Sequence, residues 1–337
     1  MKTVLVIGAG LFGCTIASEL SSFFEVTLIE SASDILTKAS KCNHNRIHYG
    51  YHYPRSLETA HQSLNGMLLF QHYYGDSIVK GFDNYYAIAK YNNKIDSKKY
   101  KLFCDSAGIP YTEEYPNNTI LNPNLIENCF KVNEPIYDIF KLKELVYTKL
   151  KNVNVVFNTS YDNSMFDKYD FIINCSYASI NTIHDKIGID RVNLKYQDVI
   201  IPIFSYNHEK IGLTVMDGDY CSIMPFGFNK NKFLLYHVKH SVLKESNSEI
   251  TLQDININQT YEIIRDWSKV YYPFLEHVKF VDYLRTVRVL PINNNDERLS
   301  QIINYSKSNN VITIFSGKIS TCVILAKRVK NMLLNEI

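Results

Sequence analysis

The chain is poor in the features that mark several large classes of protein. No stretch approaches the roughly 18 consecutive apolar residues of a membrane-crossing helix, so no integral membrane segment is expected. There is no run of Lys and Arg: 36 basic and 34 acidic side chains leave a formal net charge of +2. That balance implies no polyanionic partner, and nucleic acid is not expected. Internal repeats and low-complexity tracts are missing. The seven cysteines, Cys14, Cys42, Cys104, Cys129, Cys175, Cys221 and Cys322, stand singly with no CxxC pair. This pattern argues for reduced thiols in a cytoplasm rather than for disulfides or a zinc site, and no metal is expected. The apolar run at the N-terminus is short and broken by glycines, so it reads as a strand and not as a signal peptide. With 337 residues the chain is long enough for two domains that share one long interface.

What is present is concentrated in the first thirty residues. Thr3 to Ile7 is a continuous apolar and β-branched run, the pattern of a strand buried on both faces of a parallel sheet. Gly8-Ala9-Gly10-Leu11-Phe12-Gly13 follows at once. Each glycine is needed for a different physical reason. Gly8 permits a sharp turn, Gly10 permits close approach of backbone N–H groups to a pyrophosphate, and Gly13 permits tight packing of helix on strand. A helix is expected from Leu11 to about Ser21, its N-terminal amides and dipole favouring a diphosphate. A second strand, Val26 to Ile29, ends at Glu30 beside Ser31. That carboxylate lies about 20 residues past the glycines, where an acid meets an adenosine ribose. Strand, glycines, helix, strand and acid in this order predict a Rossmann-like dinucleotide site.

Residues 40–56 form a polar, aromatic, histidine-rich stretch broken by Gly50 and Pro54, so an ordered loop is expected. Asn43, Asn45, Arg46, His48, Tyr51, His52, Tyr53 and Arg55 crowd directional side chains into it, which suits an active-site wall on a rigid scaffold. A helix from Ser56 to about Tyr74 follows, with Leu57, Ala60, Leu64, Leu68 and Phe70 expected as its core stripe. The segment Val79 to Tyr91 reads as a strand and Asp96 to Ser106 as a helix ended by Gly108, as in an inserted second domain. A helix from Asp138 to Leu150 and strands Val153 to Asn158 and Asp170 to Cys175 return to the cofactor half, the last with a small-residue exit at Cys175 and Ser176. From Tyr196 to Arg285 short strands separated by Asn, Asp and Gly predict an antiparallel sheet, with a helix around Leu252 to Tyr271 and a strand Lys279 to Val289. Val311 to Phe315 is again a buried strand. It feeds the turn Ser316-Gly317-Lys318-Ile319-Ser320-Thr321 and a helix from Cys322 to Leu334, a second electropositive backbone cradle.

The expected architecture is therefore α/β: a Rossmann-like domain with a parallel central sheet, interleaved with an antiparallel-sheet substrate domain of α+β type. Residues 1–80, 130–195 and 286–337 fall in the first, 81–129 and 196–285 in the second. This interleaving and the glycine fingerprint resemble the D-amino-acid oxidase and glycine oxidase superfamily of FAD-dependent oxidoreductases over nearly the whole chain. Residues 45–60, NRIHYGYHYPRSLETA, are similar to the His-x-Gly-x-x-Tyr segment of the L-2-hydroxyglutarate dehydrogenase branch. They also look like those of FAD oxidoreductases that accompany surface-polysaccharide gene clusters, as does Asp217 to Gly227. The opening GAGLFG is also similar to that of the UDP-galactopyranose mutase family, from which the chain departs by lacking its histidine-phenylalanine loop.

The resemblance implies one FAD in an elongated pose. Its adenosine lies at Glu30 and its isoalloxazine between the His48 loop and the Lys318 turn, with Asn45, Arg46, Ile47, His48, Cys175 and Ser176 in the cofactor site beside the glycines. Negative charge that develops at N1 and C2=O of a flavin taking hydride at N5 needs donors, and the family's C-terminal turn, here Gly317 to Thr321, supplies them. Lys318 would add a positive charge there; otherwise it is a solvated lysine at a helix start. His48 is the candidate proton acceptor, its alternative being a histidine tied to a backbone carbonyl. Arg285 and Arg288 resemble a carboxylate-binding arginine. Three residues apart on one strand, they point to opposite faces, so at most one enters the site; either could pair instead with Asp296. Tyr51 or Tyr53 would complete the reacting face. The implied activity is oxidation of a CH–OH or CH–NH bond in a small polar molecule: a hydroxy acid, an amino acid, or a sugar or nucleotide-sugar derivative, anionic if an arginine holds it. The alternative is a flavoprotein without net redox turnover, such as a sugar mutase or a flavin-binding scaffold.

Overall fold

The computed structural model describes residues 1–292, 299–304 and 310–335; Asp296 lies outside them. The buried run Thr3–Ile7 forms the middle of a six-stranded sheet. Glu25–Ile29 and then Asn154–Val156 pair parallel on one side of it. On the other side come Phe171–Asn174 and Val311–Phe315, also parallel, with Gln301–Asn304 antiparallel at the edge. Because side chains alternate along a strand, Val4 and Val6 enter one core and Leu5 and Ile7 another. The helices Leu11–Leu20 and Cys322–Leu334 pack in the first. The helix Ile180–Ile187 packs in the second through Ile183. The chain leaves Thr3–Ile7 toward one side of the sheet and later fills the other, so the glycine loop sits where strand order reverses. Open α/β sheets bind ligands at that point.

The second sheet has nine strands. Leu194–Ser205 is its longest inner strand, paired with Lys279–Pro291 on one edge and with Lys232–His237 and Val242–Ser246 on the other. The order continues through Cys221–Pro225, Ile211–Met216, Asp83–Ala89, Ile126–Val132 and Tyr111–Glu113. One face, with Val199, Ile201 and Ile203, joins the core of the parallel sheet. The opposite face, with Ile200 and Phe204, is covered by Ile264 of the helix Ile257–Ser268 and by Tyr272 and Phe274. Segments distant in sequence thus build two sheets that face each other.

Several expected boundaries move. The second sheet is mixed, not purely antiparallel, because Ile211–Met216 pairs parallel with Asp83–Ala89. It also takes in residues 130–132 and 286–291, which the sequence pattern places in the cofactor half: both continue strands already begun. The expected strand from Val79 to Tyr91 is two strands. Ile78–Val79 pairs with Ile136–Tyr137, and Gly81 turns with positive φ before Asp83. The helix expected from Leu252 starts at Ile257, where the side chain of Asn256 accepts the amide of Gln259. The helix Leu57–Tyr74 is present and capped by Ser56, but its core stripe differs. Leu57 and Leu68 are exposed, whereas Thr59, Ser63 and Gly66 are buried with Ala60, Met67, Phe70 and Tyr74. Small residues are needed there because the C-terminal turn lies against this helix: a Cβ on Gly66 would stand 2.9 Å from the Thr321 side chain.

Candidate active site

A cavity of about 740 Å³ runs between the two sheets. At one end each of the three glycines occupies a position that a side chain would disturb in its own way. Gly8 has φ +99, and a Cβ there would come within 2.9 Å of the Cys175 carbonyl oxygen. A Cβ on Gly13 would sit 2.0 Å from the carbonyl oxygen of Gly8, so the helix can approach the strand only because that atom is missing. Gly10 has ordinary φ and would meet only the Ser40 hydroxyl, at 3.3 Å; its bare backbone faces the cavity. These residues fit a diphosphate: a cradle that a side chain would fill, at the N-terminus of a ten-residue helix. Leu11 and Phe12 line it, while Gly13 lies behind it.

Glu30 is buried at the strand end and lines the cavity. Its carboxylate accepts the amides of Ala9 at 2.8 Å and Ala32 at 2.9 Å and the Ser31 hydroxyl at 3.0 Å. Glu30 therefore shapes the glycine loop as well as facing the cavity. Ser40, not singled out by sequence, accepts the Leu11 amide at 2.9 Å. Its only signal is its place at the head of the polar loop. Cys175 and Ser176 line the same stretch. Burial pushes the Cys175 thiol far up and that of the neighbouring Cys42 to about 12, so neither is a thiolate near neutrality. All seven cysteines are free and buried. No group of three or more metal-ligating side chains occurs among the described residues.

At the other end three elements converge: the loop 44–53, the turn 316–319 and the inner face of the second sheet. Arg46 is buried. It donates to the Tyr86 hydroxyl at 2.8 Å and to Thr214 at 2.6 Å, and its Nη1 is 3.7 Å from Glu134 Oε2. Glu134 is buried and also accepts the Tyr86 hydroxyl at 2.6 Å and the Tyr49 amide at 3.0 Å. Burial works against its charge, but His48, Arg46 and Tyr86 together hold its carboxyl below the usual range. Sequence reasoning missed Glu134 because it arrives from a strand end some ninety positions away and lies in no motif. His48 Nδ1 is 3.4 Å from Glu134 Oε1. Burial, aided by the charges of Lys318 and Arg46, lowers the His48 pKa despite that carboxylate, so the ring is neutral near pH 7.

Lys318 is not a solvated lysine: it is buried, with Nζ 3.5 Å from the centre of the Tyr53 ring. The turn it belongs to is partly committed. The amides of Gly317 and Lys318 donate to the Ser300 hydroxyl at 2.8 and 3.1 Å, and Ser300 is bonded in turn to Thr321. Gly317, Lys318 and Ile319 line the cavity, whereas Ser320 and Thr321 are buried behind it. Asn45, Ile47 and Tyr51 are likewise buried off the wall. Tyr51 spends its hydroxyl on the Pro110 carbonyl at 2.5 Å and packs near Tyr86; of the two candidates, Tyr51 and Tyr53, only Tyr53 lines the cavity.

Arg285 and Arg288 do face opposite sides of their strand. Arg285 is paired with Ile200 and forms a two-point ion pair with Asp198, at 2.9 and 2.6 Å. A third bond goes to the Gln253 carbonyl at 2.6 Å. Its fork is therefore spent on structure. Arg288 is on the Gln197 side, donating to Gln197 Oε1 at 2.9 and 2.6 Å and to the Tyr236 hydroxyl at 3.0 Å. Its Nη1 has no partner among the described residues. Tyr236 meets His44 edge-on at 5.7 Å, and His44 Nδ1 is 3.3 Å from the Ser222 hydroxyl. Burial, then the charges of Arg46 and His48, hold His44 well below the usual histidine range. His44 also lines the cavity, a member that sequence reasoning passed over.

Residues 3–108 match the sequence profile of the family described as FAD dependent oxidoreductase, DAO. Over 98% of its length the chain is 24% identical to the FAD-dependent monooxygenase FPY4 of Fusarium mangiferae, covering 91% of that protein. Among solved structures, glycine oxidase from Geobacillus kaustophilus superposes with a TM-score of 0.79 at 11% identity, over 99% of this chain and 95% of the other. L-proline dehydrogenase from P. horikoshii gives 0.75 at 14%, over 99% and 94%. None of the described helices is long and apolar enough to cross a membrane. Residues 3–108 thus match the DAO family of FAD-dependent oxidoreductases, the whole chain has the fold of the solved enzymes above, and the glycine cradle fits FAD as the cofactor.

Proposed function

We propose that the chain oxidises a CH–NH or CH–OH bond of a small, anionic, polar molecule: an amino acid, a hydroxy acid or an acidic sugar derivative. FAD, when bound, supplies the hydride acceptor. The observation that carries the reading is the make-up of the inner end of the cavity. Arg288 with an open Nη1, His48 and Lys318 line it together, while the nearby buried carboxylate, Glu134, is already matched by Arg46. Arg288 holds the substrate anion beside Tyr236, and His48 takes the proton from the substrate nitrogen or oxygen. The aromatic loop around Tyr53 excludes water, which strengthens both contacts.

A charged hydrogen bond contributes roughly 1.5–3 kcal/mol, about one to two decades in an equilibrium constant. Arg288→Met should therefore raise KM by about 10- to 100-fold with FAD still bound, in an assay with the substrate found by anaerobic flavin bleaching. An unchanged KM would discard the anion anchor in favour of a neutral substrate held by hydroxyls and rings. A second reading is supported by the monooxygenase name of a relative aligned over nearly the whole chain. In that case a separate reductant reduces the flavin, and dioxygen, not the substrate, is the next reactant.

A further inference from the structure

We infer that Glu134 is a positioning residue for His48: it holds the imidazole as the Nδ1–H tautomer and so presents Nε2 to the cavity as the proton acceptor. This rests on the reading that a substrate proton leaves toward His48, and it deepens that reading by assigning the ring's state and the group that sets it. His48 Nδ1 is buried without a hydrogen bond of ordinary geometry, and Glu134 Oε1 stands 3.4 Å from it. If Nδ1 lacked its proton, a nitrogen lone pair would face a carboxylate oxygen in a site shielded from water. The proton belongs on Nδ1, and the lone pair on Nε2. The His48 side chain keeps 18% of its surface open on the cavity wall, and Nε2 is the ring nitrogen left to serve it.

Glu134 is built to stay charged and stay put. Arg46 and the Tyr86 hydroxyl hold Oε2, and the Tyr49 amide holds Oε1 on the His48 side. Its own carbonyl accepts the Asn84 side chain at 2.9 Å, which ties it to the second sheet. A carboxylate so placed does what the third member of a nucleophile–base–carboxylate array does: it fixes the tautomer and steadies the imidazolium that forms. In the step itself the substrate N–H or O–H bond breaks and its proton passes to His48 Nε2. FAD, when bound, would supply the acceptor for the hydride and its electron pair, so that a C=N or C=O product remains. Lys318, Arg46, His44, His52 and Tyr53 are further charged or titratable groups around the ring. The two cations oppose protonation of His48, so Glu134 is the group that keeps it basic enough to accept a proton.

The test is long-range ¹H–¹⁵N correlation on the FAD-loaded chain labelled at histidine nitrogens, with His48→Asn identifying the His48 signals by their loss. The expected pattern at neutral pH is a protonated Nδ1 and an unprotonated Nε2; the opposite pattern overturns the inference without any substrate being known. In Glu134→Gln the charge is lost and the Tyr49 amide, the Tyr86 hydroxyl and Arg46 compete for one remaining oxygen, so the hold on the Nδ1–H tautomer weakens and the Nε2–H form should gain. Flavin reduction by substrate should then slow by at least about 100-fold, the lower end for a positioned base, with KM changed only a few-fold. Glu134→Asp, which keeps the charge, should restore part of the rate. A folded Glu134→Gln variant with the wild-type tautomer would also overturn it. If no amine or alcohol substrate reduces the flavin, the functional reading fails while the tautomer measurement still decides the role of Glu134.

Discussion

Arg285 and Arg288 lie three positions apart on an extended strand, and the difference between their roles comes from single neighbours. Asp198 beside Arg285 is a buried carboxylate held in a two-point ion pair with it. Removing one partner of a buried ion pair costs about 3–5 kcal/mol. Arg285→Met should therefore lower stability by that order in denaturant unfolding and leave KM nearly alone, whereas Arg288→Met, which gives up bonds to the neutral Gln197 and Tyr236, should lower stability less and raise KM. Equal stability losses in the two variants would mean that Arg288 is also structural. Glu30 is a second case of one side chain with two duties. In Glu30→Gln one oxygen becomes an NH₂ that opposes the amide of Ala9 or Ala32. FAD affinity should fall by roughly 1.5–3 kcal/mol, accompanied by a lower melting temperature even without FAD. A change in affinity alone, with melting unchanged, would restrict Glu30 to the ribose.

At the scale of elements, the glycine loop is the tightest constraint. Gly13→Ala places a methyl group where the Gly8 carbonyl already stands, so the helix Leu11–Leu20 must move off its strand. The expected result is protein purified without flavin and with reduced helical stability; a yellow, fully loaded Gly13→Ala protein would contradict the packing argument. This part of the site was legible in the sequence because the motif and the contacts that demand it are local. The helix Leu57–Tyr74 shows the opposite case. Its ends were readable from Ser56 and Gly75, but its buried stripe was not. Leu57 and Leu68, which suggested a stripe, face outward, and the positions under the C-terminal turn need Thr59, Ser63 and Gly66 for close approach. Glu134 and Ser300 escaped notice for the same reason. Each acts on a segment that only the fold brings to it, and neither sits in a pattern of its own.

For the whole molecule, the interleaving of the two sheets was readable from the order of parallel-type and alternating segments. The parallel pairing of Ile211–Met216 with Asp83–Ala89 was not, since both strands carry the same alternation whichever way they run. The assembled molecule also has a distinct acid response. Burial, as the largest cause, lowers the pKa of His44, His48 and His184 and brings His237 to about 4. A histidine whose folded pKa is depressed adds stability that is complete above its unfolded pKa near 6.5. That stability is lost as pH falls toward the folded value. Below about pH 6.5 each of these histidines contributes a slope of up to about 1.4 kcal/mol per pH unit. Glu134, also depressed, adds to the loss below its unfolded value. The melting temperature should be level from pH 8 to 7 and fall steadily from about 6.5 downward; a melting temperature that rises toward pH 5 would contradict these burial assignments.

In the proposed function a small anionic substrate gives its hydride directly to FAD in the cavity lined by Arg288, His48 and Lys318. The most direct measurement is anaerobic titration of the yellow, FAD-loaded chain with a panel of amino acids, hydroxy acids and acidic sugar derivatives, with no nicotinamide nucleotide present, while the visible flavin absorption is followed. At least one of them is expected to bleach the flavin to completion, and the bleaching should slow sharply in His48→Asn and need far more substrate in Arg288→Met. Flavin that stays oxidised with every member of the panel, yet is reduced by NADH or NADPH and then places an atom of dioxygen into a substrate, would contradict it.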